Sequence, residues 1–226
     1  MKHKGKALNA AAVILGKGLM AVVLLAGVSA FLWPKSLLLA AAVCALGLLF
    51  FAFVLWFFRD PDPVVPPDPA LIVSPAHGTV DVIDETTELN VMGGPCRRVS
   101  IFLSVFNVHV QQSPVSGRVT YQKHTPGLFL NALKTESAAH NENVLIGFEA
   151  FQPPGVRIGV RLITGLIARR IIPWTRTGEV IPKGERISLI QFGSRVNIYL
   201  PLRSEITVKL GDKVFGGQTV IGRLPP

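Results

Sequence analysis

The chain has 226 residues, room for one ordinary domain and an accessory segment but not for two full domains. Hydrophobic residues make up 49% and charged ones 16%, which excludes a disordered chain; 17 Pro with 21 Gly argue against a helical bundle, and two Cys exclude a disulfide scaffold or a Cys-rich zinc module. Of the formal charge of +9, residues 1–60 carry +5, six cations against Asp60 alone, so the basic excess surrounds an apolar N-terminus and points to a membrane before it points to nucleic acid.

In chain order, residues 18–33 are uncharged and reach spanning length only if extended back past Lys17, which is placed to snorkel. Residues 37–58 form a second run of 22 without a charge, ending in Trp56-Phe57-Phe58-Arg59, aromatics and a cation suited to an interface. With Trp33-Pro34-Lys35-Ser36 as the break, the pattern predicts an apolar helical hairpin over 1–59, the first span weaker than the second. A signal peptide cut after Val28-Ser29-Ala30 is a competing reading, made less attractive by the longer run that follows. A hairpin confined to one leaflet is another. Lys2, Lys4, Lys6 and Arg59 against a lone Lys35 place both ends, and the domain behind them, on the cytoplasmic side of the cell membrane.

Five prolines between 61 and 69 make 60–70 a stiff linker. Beyond it, 71–226 reads as short strands between turns: 79–83, 99–103, 117–122, 144–148, 187–191, 196–200 and 205–210, each rich in β-branched or aromatic residues. The main helical candidate is 159–170. A mainly β sandwich or barrel with minor helix follows. Ser74-Pro75-Ala76-His77-Gly78-Thr79-Val80 and Ser113-Pro114-Val115-Ser116-Gly117-Arg118-Val119 share S-P-x-x-G-x-V, 39 residues apart. They are either two similar turns feeding two strands or one duplicated unit. The turn-rich stretch 210–218 is similar to those of lipoyl- and biotinyl-type barrel sandwiches, but it lacks their carrier lysine tripeptide.

Chemistry has few candidates. His77, His109, His124 and His140 show no i, i+4 pair, Cys44 lies in an apolar run and Cys96 stands alone, so no metal site is expected. There is no phosphate-binding glycine loop and no G-x-S-x-G elbow. Gly193-Ser194 sits between two predicted strands, where such a pair alone marks a bulge or tight hairpin. His109 stands inside the apolar run Val105-Phe106-Asn107-Val108-His109-Val110.

Together these phrases resemble the phosphatidylserine decarboxylase family in its short, membrane-anchored form. The resemblance runs from about Phe57 to Ile221 and rests on Phe57-Phe58-Arg59-Asp60-Pro61, Ser74-Pro75-Ala76-x-Gly78, the phrase 105–117, Asn141-Glu142-Asn143 (similar to the family's Asn-Glu-Arg-Asn), Gly165-Leu166-Ile167-Ala168-Arg169-Arg170-Ile171 and Phe192-Gly193-Ser194-Arg195-Val196. It implies a proenzyme that cuts itself at Gly193-Ser194 into a β chain, 1–193, and an α chain, 194–226. Ser194 would be the nucleophile and become a covalent pyruvoyl group, an electron sink for decarboxylation like that otherwise supplied by pyridoxal phosphate. His109 matches the family histidine and would act as acid or base. Arg169 and Arg170 are weaker candidates for the lipid phosphate, membrane contact explaining them equally well. The implied partners are phosphatidylserine in the membrane and the two chains of one precursor, with a homodimer left open and no nucleic acid.

One departure stands out. The family element reads Ser-Pro-Ala-Asp-Gly, its Asp being assigned with the histidine and serine to self-cleavage, and here the position holds His77, which supplies no negative charge. Asp81 or Asp84 is a substitute only if the following strand bends back. Slower maturation, or maturation through another carboxylate, is the expectation. Two rivals follow: an uncleaved, inactive relative that binds anionic lipid, and a non-enzymatic membrane-anchored adaptor.

Overall fold

The computed structural model describes residues 2–32, 37–130, 140–166 and 170–225. They divide into two compact units, Lys4–Asp60 and the remainder, Met1–His3 with Pro61–Pro226.

The first unit is a pair of helices, α1 (Lys6–Leu32) and α2 (Leu37–Phe57). Both are long and apolar enough to cross a membrane, α1 by starting well before Lys17. Glycines bring the two together: a side chain on Gly47 would press on Val22, and one on Gly18 would strike Phe50, so the backbones approach where the residues are smallest.

The second unit is mainly β, as the alternating patterns predict. Its strands are β1 (Leu71–Val73), β2 (Gly78–Glu88), β3 (Gly94–Leu103), β4 (Val110–Gln112), β5 (Gly117–Thr125), β6 (Asn143–Phe151), β7 (Pro154–Thr164), β8 (Arg170–Pro173), β9 (Val180–Ile181), β10 (Arg186–Gln191), β11 (Ser194–Leu200), β12 (Glu205–Ile206), β13 (Lys213–Val214) and β14 (Val220–Arg223). One sheet of eight runs β13-β2-β3-β11-β7-β6-β5-β9, and two sheets of three run β1-β14-β12 and β4-β10-β8. Inward residues such as Val80, Ile101, Phe148, Ile158, Leu162 and Ile198 form one buried core.

The helix predicted over 159–170 is not there. Residues to Thr164 belong to β7, where buried Ile158, Val160 and Leu162 alternate with Arg157, Gly159 and Arg161, a period of two that the scattered basic residues disguise. Residues 167–169 lie outside the described residues. Of the strand predicted at 205–210, only Glu205–Ile206 pairs.

The sheet orders show that the unit is duplicated. An outer copy, β1–β3 continued by β11–β14, contains an inner copy, β4–β10, inserted between β3 and β11. The two three-stranded sheets match strand for strand, and in the sheet of eight the same matching exchanges β2 with β5, β3 with β6 and β11 with β7. Ile198 and Val160 pair with each other at the two-fold centre. The hydrogen bonds repeat too. Ser74 Oγ donates to Ala76 O as Ser113 Oγ donates to Val115 O. Gly217 N–H bonds Ser74 O as Gly184 N–H bonds Ser113 O, and Gly211 N–H bonds Val80 O as Gly178 N–H bonds Val119 O. Each copy even carries the same β-bulge, between Val80 and Val82 and between Val119 and Tyr121. The S-P-x-x-G-x-V echo is therefore the trace of a whole duplicated unit rather than of two isolated turns.

Candidate active site

Insertion of one copy into another leaves two seams, 104–109 running into the inner copy and Phe192 with Gly193 running out. His109 sits on the first and Ser194 directly follows the second, and the fold brings His109 against Gly193, one residue before Ser194.

The entry seam is a short turn. Asn107 Oδ1 accepts from Ser104 N–H and Oγ–H, both at 2.9 Å, and Asn107 N–H returns a bond to Ser104 O at 2.9 Å. That turn aims the Asn107 carbonyl at His109 Nδ1, 2.9 Å away, while Gly193 N–H points at His109 Nε2 across 3.1 Å. A backbone N–H only donates and a carbonyl only accepts. The ring therefore carries its proton on Nδ1 and turns a lone pair toward the exit seam. His109 is fully buried, and its own carbonyl accepts from Ile190 N–H and from the Gln111 amide.

The exit seam is strained. Phe192 and Gly193 have φ of +64° and +78°, consecutive left-handed residues. Glycine adopts that region freely, but a bulky residue there stores about 1–3 kcal/mol. Among the described residues, a Cβ on Gly193 would meet only Val105 at an ordinary 3.7 Å, so the backbone angle rather than space is what calls for glycine there. Gln191 and Ser194 belong to different sheets, so the pair of residues is a crossing between sheets and neither the bulge nor the hairpin that the dipeptide suggests by itself.

Ser194 opens β11, between Leu103 of β3 and Thr164 of β7. Its hydroxyl is wholly buried and has no hydrogen-bond partner among the described residues, a loss of about 1–3 kcal/mol relative to a satisfied group. Thr164 is itself pinned: the buried Asn141 amide donates to Thr164 O at 2.7 Å, and Thr164 N–H and Oγ–H both reach Glu142 O. On the other side of the serine, the buried Arg195 guanidinium grips Asp81 through two bonds of 2.8 and 2.6 Å.

The remaining sequence candidates separate from this constellation. His77 is buried edge-on to Phe215 and beside Gly216, near the Gln112 amide, whose polar atoms also lack partners among the described residues. Neither suggested substitute carboxylate orients His109: Asp81 is held by Arg195 and Asp84 by Arg98. The orienting group is instead the Asn107 carbonyl. Arg170 is exposed and stands opposite Gln191 in the β8–β10 register, one residue before the exit seam, whereas Arg169 lies outside the described residues. Asn107, Asn141 and Arg195 stand inside the quoted phrases, but sequence reasoning gave them no role, although the Ser104-x-x-Asn107 spacing is itself a turn signature. Among the described residues no cluster of three His, Cys, Asp or Glu is arranged for a metal.

Fold and site define a class, a β domain behind a pair of apolar helices with a reactive-looking serine at a strained seam in its own chain. Comparison with known proteins narrows it. The family described as phosphatidylserine decarboxylase matches residues 50–222. The phosphatidylserine decarboxylase proenzyme of Symbiobacterium thermophilum is 46% identical over 173 residues, 76% of this chain and 80% of that one. Its counterpart in Desulfotalea psychrophila is 41% identical over 88% of this chain and 92% of its own, and that of Trichlorobacter lovleyi 38% over 94% and 97%. This chain belongs to the phosphatidylserine decarboxylase family.

Proposed function

We propose that the chain cuts itself at Gly193-Ser194 and then decarboxylates phosphatidylserine to phosphatidylethanolamine at a membrane. One observation carries this reading: a neutral His109 with its Nε2 lone pair on Gly193 N–H, beside a buried, unpartnered serine hydroxyl.

Ser194 Oγ attacks the Gly193 carbonyl carbon while His109 takes the hydroxyl proton. The C–N bond to Ser194 breaks as His109 hands that proton to the nitrogen, and Gly193 is left as an ester on the hydroxyl, with a free amine on residue 194. Loss of the Ser194 Cα proton expels the Gly193 carboxylate and leaves a double bond at residue 194, which water converts to a keto group with release of ammonia. Strain at Phe192 and the missing bond to Ser194 Oγ both raise the uncut state, so cutting relieves them.

The residues present fit a pyruvoyl group, since its precursor hydroxyl is buried, orphaned and next to a left-handed glycine. Such a group supplies an electrophilic carbonyl and an electron sink for the electrons that loss of CO₂ leaves behind. Around it His109 holds and returns a proton, Thr164 and Leu103 hold residue 194 in register, and exposed Arg170 offers a cation to the lipid phosphate. After the cut, the α chain of 33 residues stays in place because β11 lies between β3 and β7, β13 pairs with β2 and β14 with β1. The anchor fits a substrate that stays in the bilayer. Lys2, Lys4, Lys6 and Arg59 at the two ends of the helical pair, against a lone Lys35 between the helices, support the cytoplasmic side for both ends.

The test is full-length protein in nanodiscs containing phosphatidylserine, followed by lipid mass spectrometry. Wild type yields phosphatidylethanolamine and Ser194→Ala yields none; a folded wild type that yields none overturns the reading. His77 in place of the family Asp favours a second reading, an uncut lipid-binding relative, and the same assay separates the two.

A further inference from the structure

The duplication supplies a control within one chain. Each copy builds the same bulge on the same strand pair, so a contact present in one and missing from the other is not required by the fold. In the outer copy the bulge residue is Asp81, the neighbouring β3 residue is Ser100, and the residue facing them on the next strand is Arg195. Matching the registers puts Thr120, Gly147 and Arg157 at those places in the inner copy. Arg157 is exposed, whereas Arg195 is 1% exposed and holds Asp81 at 2.8 and 2.6 Å and Ser100 Oγ at 2.5 Å. The inner copy folds around its bulge without this triplet. The outer copy spends a buried guanidinium there, on the residue next to Ser194.

We infer that Arg195, Asp81 and Ser100 form a positioning clamp for residue 194. Resting on the proposed self-cleavage, its logic is mechanical. Once the Gly193-Ser194 bond is cut, residue 194 is a chain end and loses the tether on its N-terminal side. Arg195 is then the first side chain of the α chain, and both its partners lie on the β chain, on two different strands. The clamp spans the break and is bidentate on Asp81, so it fixes direction as well as distance. A bulge re-aims a side chain sideways, which is how Asp81 reaches over β3 to a strand with which β2 does not pair. Residue 194 is thus held by its place in register between Leu103 and Thr164, through the pairing of the β11 residues that follow it, and by a guanidinium locked one residue away. Arg195 touches no reacting atom; it acts through the placement of its neighbour.

The experiment uses the full-length protein in nanodiscs, with Asp81→Asn, Arg195→Met, Arg195→Lys and, as the matched inner-copy control, Arg157→Met. Intact mass gives the cut fraction, steady-state turnover gives kcat and KM, and amide hydrogen exchange over 194–200 reports the chain end independently of activity. Asp81→Asn and Arg195→Met are expected to cut more slowly and, once cut, to lose kcat by on the order of tenfold to a hundredfold with KM nearly unchanged. Exchange rises at the start of β11 and not at its end, Arg195→Lys recovers part of both, and Arg157→Met matches wild type. If Arg195→Met fails to fold, the near-isosteric Asp81→Asn decides by the same readouts. Cut Asp81→Asn with wild-type kcat and wild-type exchange overturns the clamp. A wild type that is never cut overturns the self-cleavage reading instead, so the two failures are distinct.

Discussion

Where the inner copy turns from β6 to β7 within a few residues around Gln152, the outer copy is opened between β3 and β11 to admit the whole inner copy. The same two strands are joined by a hairpin in one half of the molecule and by some ninety residues of inserted chain in the other. The candidate residues His109, Gly193 and Ser194 lie on the opened side. The hairpins at the opposite corners differ in the same spirit. The outer β2–β3 turn is closed by Glu88, whose carboxylate takes the N–H groups of Asn90, Val91 and Met92 and the Asn90 amide, packing Val91 against Leu145 and Tyr199. Its inner counterpart is a longer connection that brings Asn141 to Thr164, beside the serine. Each copy thus keeps one connection as plain scaffold, the Glu88 turn in the outer copy and the β6–β7 hairpin in the inner, and brings another to the candidate site.

Substitutions can break this contrast, and the largest effect belongs at the serine. Ser194→Ala should leave a folded, uncut chain with no decarboxylation above background, seen by intact mass and lipid analysis. His109→Ala comes next. The outer copy holds Ala70 at the matching place, with Leu224 N–H bonding Ala70 O as Ile190 N–H bonds His109 O, so the ring is not needed for the fold. Circular dichroism should be unchanged while cutting slows by about 10²–10⁴-fold, the usual worth of a positioned acid or base.

Glu88→Gln tests the scaffold side and should leave cutting intact. Burial raises the Glu88 pKa, but the backbone N–H groups of Val91 and Met92 and the bonds from Asn90 outweigh it and hold the carboxyl below its ordinary range. A lowered native pKa stabilises the fold above the unfolded value of about 4.3, and that stability is lost as pH falls through the native value. The variant should therefore melt earlier at neutral pH, by about 1–3 kcal/mol of stability, and show a flatter acid limb below about pH 4.3. The smallest effect is expected at Arg157: Arg157→Met should match wild type in melting, cutting and turnover, because the inner copy has no clamp.

Much of this was legible in the sequence and some was not. Alternating patterns mark the long strands, and the family phrases lead directly to His109, Gly193 and Ser194. The strand at Pro154–Thr164 was hidden because Arg157 and Arg161 fall on its open face and imitate a helical mixture. The short strands β1, β4, β9 and β13 carry two or three residues each, too few for any period to show. The duplication left one readable trace, S-P-x-x-G-x-V, because Ser, Pro and Gly serve the turn itself; elsewhere the copies share backbone bonds, which do not constrain side chains. Asp81 and Arg195 lie 114 positions apart, and only a bulge two strands away joins them.

The central claim, that the seam at Gly193-Ser194 cuts itself, is tested most directly by intact-mass spectrometry of the purified full-length protein beside Ser194→Ala. The account predicts two species for wild type, residues 1–193 and a small 194–226 chain blocked by a keto group in place of its amine, and one unbroken chain for the variant. A folded wild type found only as a single 24.4 kDa chain contradicts it.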